Sequence, residues 1–123
     1  MEDKLEQLLS KIEEKEQNTI IYNDEYLGMD LEIQKLSIRK FAELQDGADK
    51  SVVKSIDATI RIIWEHVPLF QKRELLEKFD IKMSKYAVIS KIYGDNLGAM
   101  TKLVDFINEK FYGIKNDESD SGK

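Results

Sequence analysis

Cysteine is absent from this chain, and proline, histidine and tryptophan each occur once. Without Cys there are no disulfides, no thiolate nucleophile and no sulfur-ligated metal. A lone His leaves an all-oxygen site as the remaining metal option. Asn23-Asp24-Glu25 and Asn116-Asp117-Glu118 lack the ligand spacing and the fixed glycine of a calcium loop, so both read as solvated turns. Apolar runs are only a few residues long, too short for a membrane span. The opening segment MEDKLEQLLSKIEEKEQ is acidic and has no apolar core run, which argues against a secretory signal. An excess of basic charge is also missing. Asp and Glu outnumber Lys and Arg by 24 to 19, a net charge of −5, whereas a phosphate-backbone binder needs a basic footprint. These absences predict a soluble cytoplasmic protein with no cofactor, no metal, and neither nucleic acid nor membrane as its partner.

The chain does hold enough apolar material for one folded domain. It has 123 residues, 41% of them hydrophobic, with five Phe and five Tyr, within the size of a single core. The organising stretch is Ser51–Pro68, SVVKSIDATIRIIWEHVP. Val53, Ile56, Ile60, Ile63 and Val67 recur at steps of three and four, which places them on one side of a helix. Val52 and Trp64 widen the stripe into a core-facing surface. Lys54, Asp57, Arg61 and Glu65 fall opposite. Asp49 or Ser51 caps the start, and Pro68 disfavours helical geometry at Val67 and so ends it.

Upstream, residues 2–16 place Leu5, Leu8, Leu9 and Ile12 at helical spacing among Glu and Lys. That stripe is narrow and the segment short, marginal as a helix on its own, so it predicts a weakly docked helix or one that binds a partner's groove. Thr19–Tyr22 is β-branched and aromatic, Asn23-Asp24-Glu25 is turn material, and Met29, Leu31 and Ile33 alternate with Asp30, Glu32 and Gln34. This predicts a β-hairpin. Ser37 starts a helix with Ile38, Phe41, Ala42 and Leu44 inward, closed by Asp46-Gly47. After Pro68, Leu69 and Phe70 are expected to anchor a turn in the core, and Leu75, Leu76 and Phe79 to mark a short helix. Ser84 caps a helix carrying Tyr86, Ile89 and Tyr93, stopped by Gly94. Asp95 caps the last helix, in which Leu97, Met100, Val104, Ile107 and Phe111 repeat the three-four spacing. The two long helices are predicted to pack side by side.

The expected architecture is therefore mainly α (α+β): a compact helical domain of about five helices with a short N-terminal β-hairpin over residues 18–113. It is preceded by an amphipathic helix over 1–17 and followed by a disordered polar tail over 114–123. Chemistry is scarce in this reading. His66 sits at a helix C-terminus, where an imidazolium suits the negative end of the dipole, a structural or surface role. Gly94-Asp95-Asn96-Leu97-Gly98 lacks the lysine and preceding strand of a phosphate cradle and reads as a cap and a helix start. Tyr22 and Tyr26, if exposed, suit a protein-binding surface. By elimination the chain is an interaction protein with no catalytic residues.

One arrangement is familiar. LEIQKLSIRKFAELQD leads into IIWEHVPLFQKRELLEKFDI, then AVISKIYG, and a closing helix ends in FINEKFYG. Val67-Pro68-Leu69 followed by Glu74-Leu75-Leu76 resembles the hydrophobic-Pro-x-Leu and glutamate-leucine-leucine centre of the small phage tail assembly chaperones of Gram-positive phages and defective prophages, the XkdN-like family. The similarity runs from about Met29 to Gly113. It implies a non-enzymatic protein that binds the tape measure protein, keeps it soluble and helps recruit tail tube subunits in the host cytoplasm. Contact residues expected on this reading are Leu5, Leu8, Leu9, Tyr22 and Tyr26. Alternatives are a structural component of a phage tail or tail-like particle, or a small mobile-element regulatory protein. Homo-oligomerisation is left open.

Overall fold

The computed structural model describes residues 2–16, 18–82 and 84–115. Six α-helices and one antiparallel hairpin make up the described chain: α1 (Glu2–Lys15), β1 (Thr19–Asp24), β2 (Met29–Gln34), α2 (Ile38–Gln45), α3 (Val52–His66), α4 (Arg73–Lys78), α5 (Ala87–Tyr93) and α6 (Leu97–Tyr112). Single 3₁₀ turns at Ala48–Lys50 and Pro68–Gln71 lead into and out of α3. The expected mainly-α domain with an N-terminal hairpin is what forms. Of the expected tail, Ile114 and Lys115 are described, with Ile114 48% exposed, and Asn116–Lys123 lies outside the described residues.

The core is built around α3. Its residues Ile62 and Ile63, with Val67 just beyond, are buried together with Phe41 and Leu44 of α2, Val88, Ile89 and Tyr93 of α5, and Met100, Leu103, Ile107 and Phe111 of α6. Leu31 and Ile33 of β2 and Phe70 of the second 3₁₀ turn close the cluster. The two long helices do lie against each other, and α2 and α5 also pack on α3. Caps hold their ends: Ser51 Oγ accepts from Lys54 N–H (3.1 Å), and Pro68 opens the turn that follows α3. Such caps satisfy backbone donors that have no partner within the helix.

Several faces differ from the periodic reading. Val52 and Val53 are 75% and 67% exposed, because α3 outruns the elements that pack on it and burial begins only at Ile56. The face that does bury is Ala58, Ile62, Ile63 and His66. On α2, Phe41 and Leu44 point inward, but Ile38 and Ala42 face solvent. Phe41 and Leu44, one turn apart, are the buried residues of this eight-residue helix. Leu97 is also solvent-facing, and Leu103 takes the inward place. Phe70 anchors the turn after Pro68, whereas Leu69 remains 41% exposed.

Two turns are displaced by a residue or two. Asn23 and Asp24 belong to β1, paired with Asp30 and Met29, and the reversal is made by Glu25–Gly28, with Gly28 N–H donating to Asp24 O (2.7 Å). Gly28 supplies the positive φ of 70° that the reversal needs. The N-cap of α6 is Asn96, whose Oδ1 accepts from Ala99 N–H (3.0 Å), not Asp95. Gly94 and Asp95 both sit at positive φ, 58° and 61°, so the left-handed exit from α5 lasts two residues and delays the helix start. Asp tolerates that region better than most residues. Ser84 similarly caps the turn before α5, accepting from Tyr86 N–H at 3.3 Å, and the helix proper begins at Ala87.

The hairpin is pinned to the helices by a buried polar contact. Tyr93 Oη donates to Asp24 Oδ2 at 2.6 Å, and Leu27 N–H donates to Asp24 Oδ1 at 2.9 Å. The carboxylate is 2% exposed and the tyrosine fully buried, so its charge is held by these donors instead of water. Burial, and next the hydrogen bond to this carboxylate, raise the Tyr93 phenol far above its ordinary range. Removing the donor strands a buried charge, so Tyr93→Phe should cost about 1.5–3 kcal/mol, measured by urea unfolding. The corrected face of α3 gives a second comparison in the same assay. Ile63→Ala should cost about 2–5 kcal/mol, while Val53→Ala should stay within about 0.5 kcal/mol.

Candidate functional site

The one imidazole is the natural place to look for reaction chemistry. His66 is fully buried. Its Nδ1 lies 2.7 Å from the Ile62 carbonyl oxygen, which can only accept, so Nδ1 carries the proton. Nε2 is 2.9 Å from Tyr112 Oη. That hydroxyl also accepts from Leu36 N–H at 3.1 Å and reaches Leu36 O at 3.1 Å. Tyr112 therefore has one proton for two acceptors, His66 Nε2 and the Leu36 carbonyl. The ring of Phe41 stacks on Tyr112 with centroids 3.9 Å apart, and Phe111 stacks on His66 at 6.3 Å. Neither ring nitrogen contacts a carboxylate, and the hydroxyl at Nε2 is shared with the Leu36 backbone. The arrangement ties α3, α6 and the β2–α2 link together.

His66 does stand at the C-terminus of α3, as the sequence suggests, but the cationic role expected there is not what burial favours. Desolvation is the largest influence and lowers its pKa below the ordinary 6.5, against smaller upward pulls from the Ile62 hydrogen bond and the Glu65 charge. Among charged groups around this cluster, Glu65 lies on the same helix, and the Lys35 ammonium sits 5.9 Å above the Tyr112 ring. The folded protein thus binds this proton less readily than the unfolded chain, so the neutral ring's contribution is complete above about pH 6.5 and is lost as pH falls through the lower folded value. Urea midpoints should drop between pH 7.5 and pH 5.5, and His66→Asn, though less stable throughout, should show a flatter dependence over that window.

Among the described residues no group of three or more His, Asp or Glu side chains is placed to hold an ion. Among the same residues no helix is long and apolar enough to cross a membrane. What the surface does offer is uncovered apolar area. Every described side chain of α1 is exposed, with Leu5, Leu8, Leu9 and Ile12 at 57%, 55%, 52% and 52%. None of them joins the core or its rim. Stripes of this size are what partner-binding helices present.

The two tyrosines predicted as contacts fall elsewhere and behave differently. Tyr22 is half-buried, its ring 4.7 Å from Phe106 of α6, and burial followed by the charges of Asp24 and Glu25 raises its pKa. It fastens the hairpin to α6 more than it offers a surface. Tyr26 is 48% exposed, leans on Tyr93 at 5.8 Å, and would meet any Cβ at Gly94 at 3.2 Å from its hydroxyl. Both line a cleft of about 640 Å³ with Glu25, Asn96 and Lys102. The structure thus brings Tyr22 and Tyr26 together and leaves the three leucines on α1.

A second concavity escaped the sequence reading. Leu27, Met29, Leu69, Phe70, Leu75 and Ile92 line a groove of about 470 Å³, with Met29 and Leu69 each more than 40% exposed. Lys72 and Glu74 stand on its wall. The available signal was the surplus of large apolar residues around Pro68, more than one short turn can bury. No protein-family model, characterised protein or solved structure matches the chain.

Proposed function

We propose that this chain is a non-enzymatic assembly chaperone of the phage-tail type. It binds the tape measure protein in the host cytoplasm and helps recruit tail tube subunits. The observation that carries the reading is α1: a fourteen-residue helix with four large apolar side chains, each more than half exposed. A tape measure protein is a long helical chain that exposes apolar seams before assembly, and a solvated helix with a narrow stripe is suited to cover such a seam reversibly. The stripe is modest. That fits release, because transient contacts lie at the small end of the interface range. The excess of acidic residues, 24 against 19, supports a protein partner over a nucleic acid.

Tyr26, exposed at the hairpin tip, is the second contact in this proposal, and Tyr22 positions it by bracing the hairpin on α6. Co-expression tests the proposal directly. The tape measure protein should become more soluble and co-elute with this chain. The triple change Leu5→Glu, Leu8→Glu, Leu9→Glu should abolish both effects while the far-ultraviolet circular dichroism of α2–α6 persists. Equal solubility with and without this chain, and no complex, would end the proposal. Mass spectrometry of purified particles separates a chaperone, which leaves, from a structural tail component, which stays.

A further inference from the structure

Gly94 does two things at the end of α5, and stopping the helix is only one of them. We infer that it is also the positioning residue for Tyr26, its bare face being the seat on which the hydroxyl end of the tyrosine rests. The inference deepens the chaperone reading, in which Tyr26 is a contact, and its functional meaning rests on that reading. The seat itself is a property of this chain alone.

Space comes first. A Cβ built on Gly94 would stand 3.2 Å from Tyr26 Oη, closer than ordinary van der Waals contact. A hydrogen fits there, whereas a methyl fits only if one of the two partners gives way. The backbone is the stiffer partner. The N–H groups of Gly94 and Asp95 both donate to Ser90 O, and Asn96 N–H donates to Tyr93 O at 3.0 Å. Gly94 and Asp95 both hold the left-handed region, at φ 58° and 61°, and Tyr93 before them is fully buried and bonded to Asp24. Tyr26 is the softer partner. It lies in the reversal between β1 and β2, is 48% exposed, and leans on Tyr93 with ring centroids 5.8 Å apart.

Displacement therefore falls on the Tyr26 side chain and not on the hairpin. The rest of the reversal is tied down, because Leu27 N–H donates to Asp24 Oδ1 and Gly28 N–H to Asp24 O. Two consecutive residues thus make one seat. Tyr93 supplies its floor, fixed by the buried carboxylate, and Gly94 supplies the clearance at the hydroxyl end. From this seat Tyr26 lines the cleft with Asn96, Gly98 and Lys102. The absence of a side chain at one backbone position sets where the phenol stands beside the start of α6.

Substitutions at both positions in the full chain test the assignment, read by the nuclear Overhauser contact between the rings at positions 26 and 93. Gly94→Ala adds a methyl in a region that alanine disfavours. Gly94→Asn adds the same Cβ on a residue that tolerates the region better, which keeps a folded sample if the alanine variant does not. Both should lose the ring–ring contact seen in the wild type while the circular dichroism of the helices persists. Tyr26→Phe removes the atom that the Cβ meets, so adding it to Gly94→Asn should restore the contact, a rescue that a glycine acting only as a helix stop would not show. Binding of the tape measure protein should weaken in Gly94→Asn. A ring–ring contact unchanged in both Gly94 variants, or lost and not restored by Tyr26→Phe, would overturn the assignment. Loss and rescue in a chain that does not bind the tape measure protein would support the assignment and end the chaperone reading instead.

Discussion

Tyr112 is the point at which distant parts of the chain are made to agree. Its hydroxyl, at the last residue of α6, meets His66 at the last residue of α3 and both backbone groups of Leu36 between β2 and α2. These partners are 46 and 76 residues away in sequence. Hydrophobic packing alone specifies that α3 and α6 lie together, but it is tolerant of sliding. A half-buried hydroxyl with directional partners is not, because a shift of either helix breaks its bonds to His66 and Leu36. The Phe41 ring stacked on Tyr112 extends the constraint to α2, so the ends of three helices are set by one side chain.

The opposite end of the molecule repeats the device with a charge. Asp24, fully within the fold, is held by Tyr93 and by the Leu27 backbone, and this fixes where the hairpin tip sits against α5. The tip in turn determines both concavities: the mixed cleft on the Asn96 side and the apolar groove on the Leu69 side share the hairpin as a wall. Surface features that bear on binding are thus by-products of one buried carboxylate. An isolated two-stranded hairpin would have no such fixed position.

Much of this was legible in the residues, and where it was not the reasons are physical. The α3 and α6 periods, the hairpin alternation at Leu31 and Ile33, and the glycine stops at Gly47, Gly94 and Gly113 are local signals with local causes, and the elements form where they predict. The inward face of α3 was misjudged at Val52 and Val53 because periodicity reports which residues share a side, not how far the neighbouring helices extend to cover them. Asp95 lost the cap to Asn96 through a left-handed exit of two residues instead of one, a choice that turns on tertiary fit. Tyr22 looked like a surface residue because Phe106, its partner, is 84 positions away. The apolar surplus around Pro68 hinted at the groove, but its outline was hidden for the same reason: Met29, Leu69, Leu75 and Ile92 come from different elements.

Trp64 gives the molecule a built-in optical probe with a restricted field of view. The indole is half-buried on α3, with the Lys85 ammonium 4.4 Å over its ring and Tyr86 edge-on at 5.4 Å. As the sole tryptophan, it makes intrinsic emission a readout of the seam between α3 and the start of α5. Loosening of the core will change the spectrum, whereas events confined to α1 will pass unseen by it.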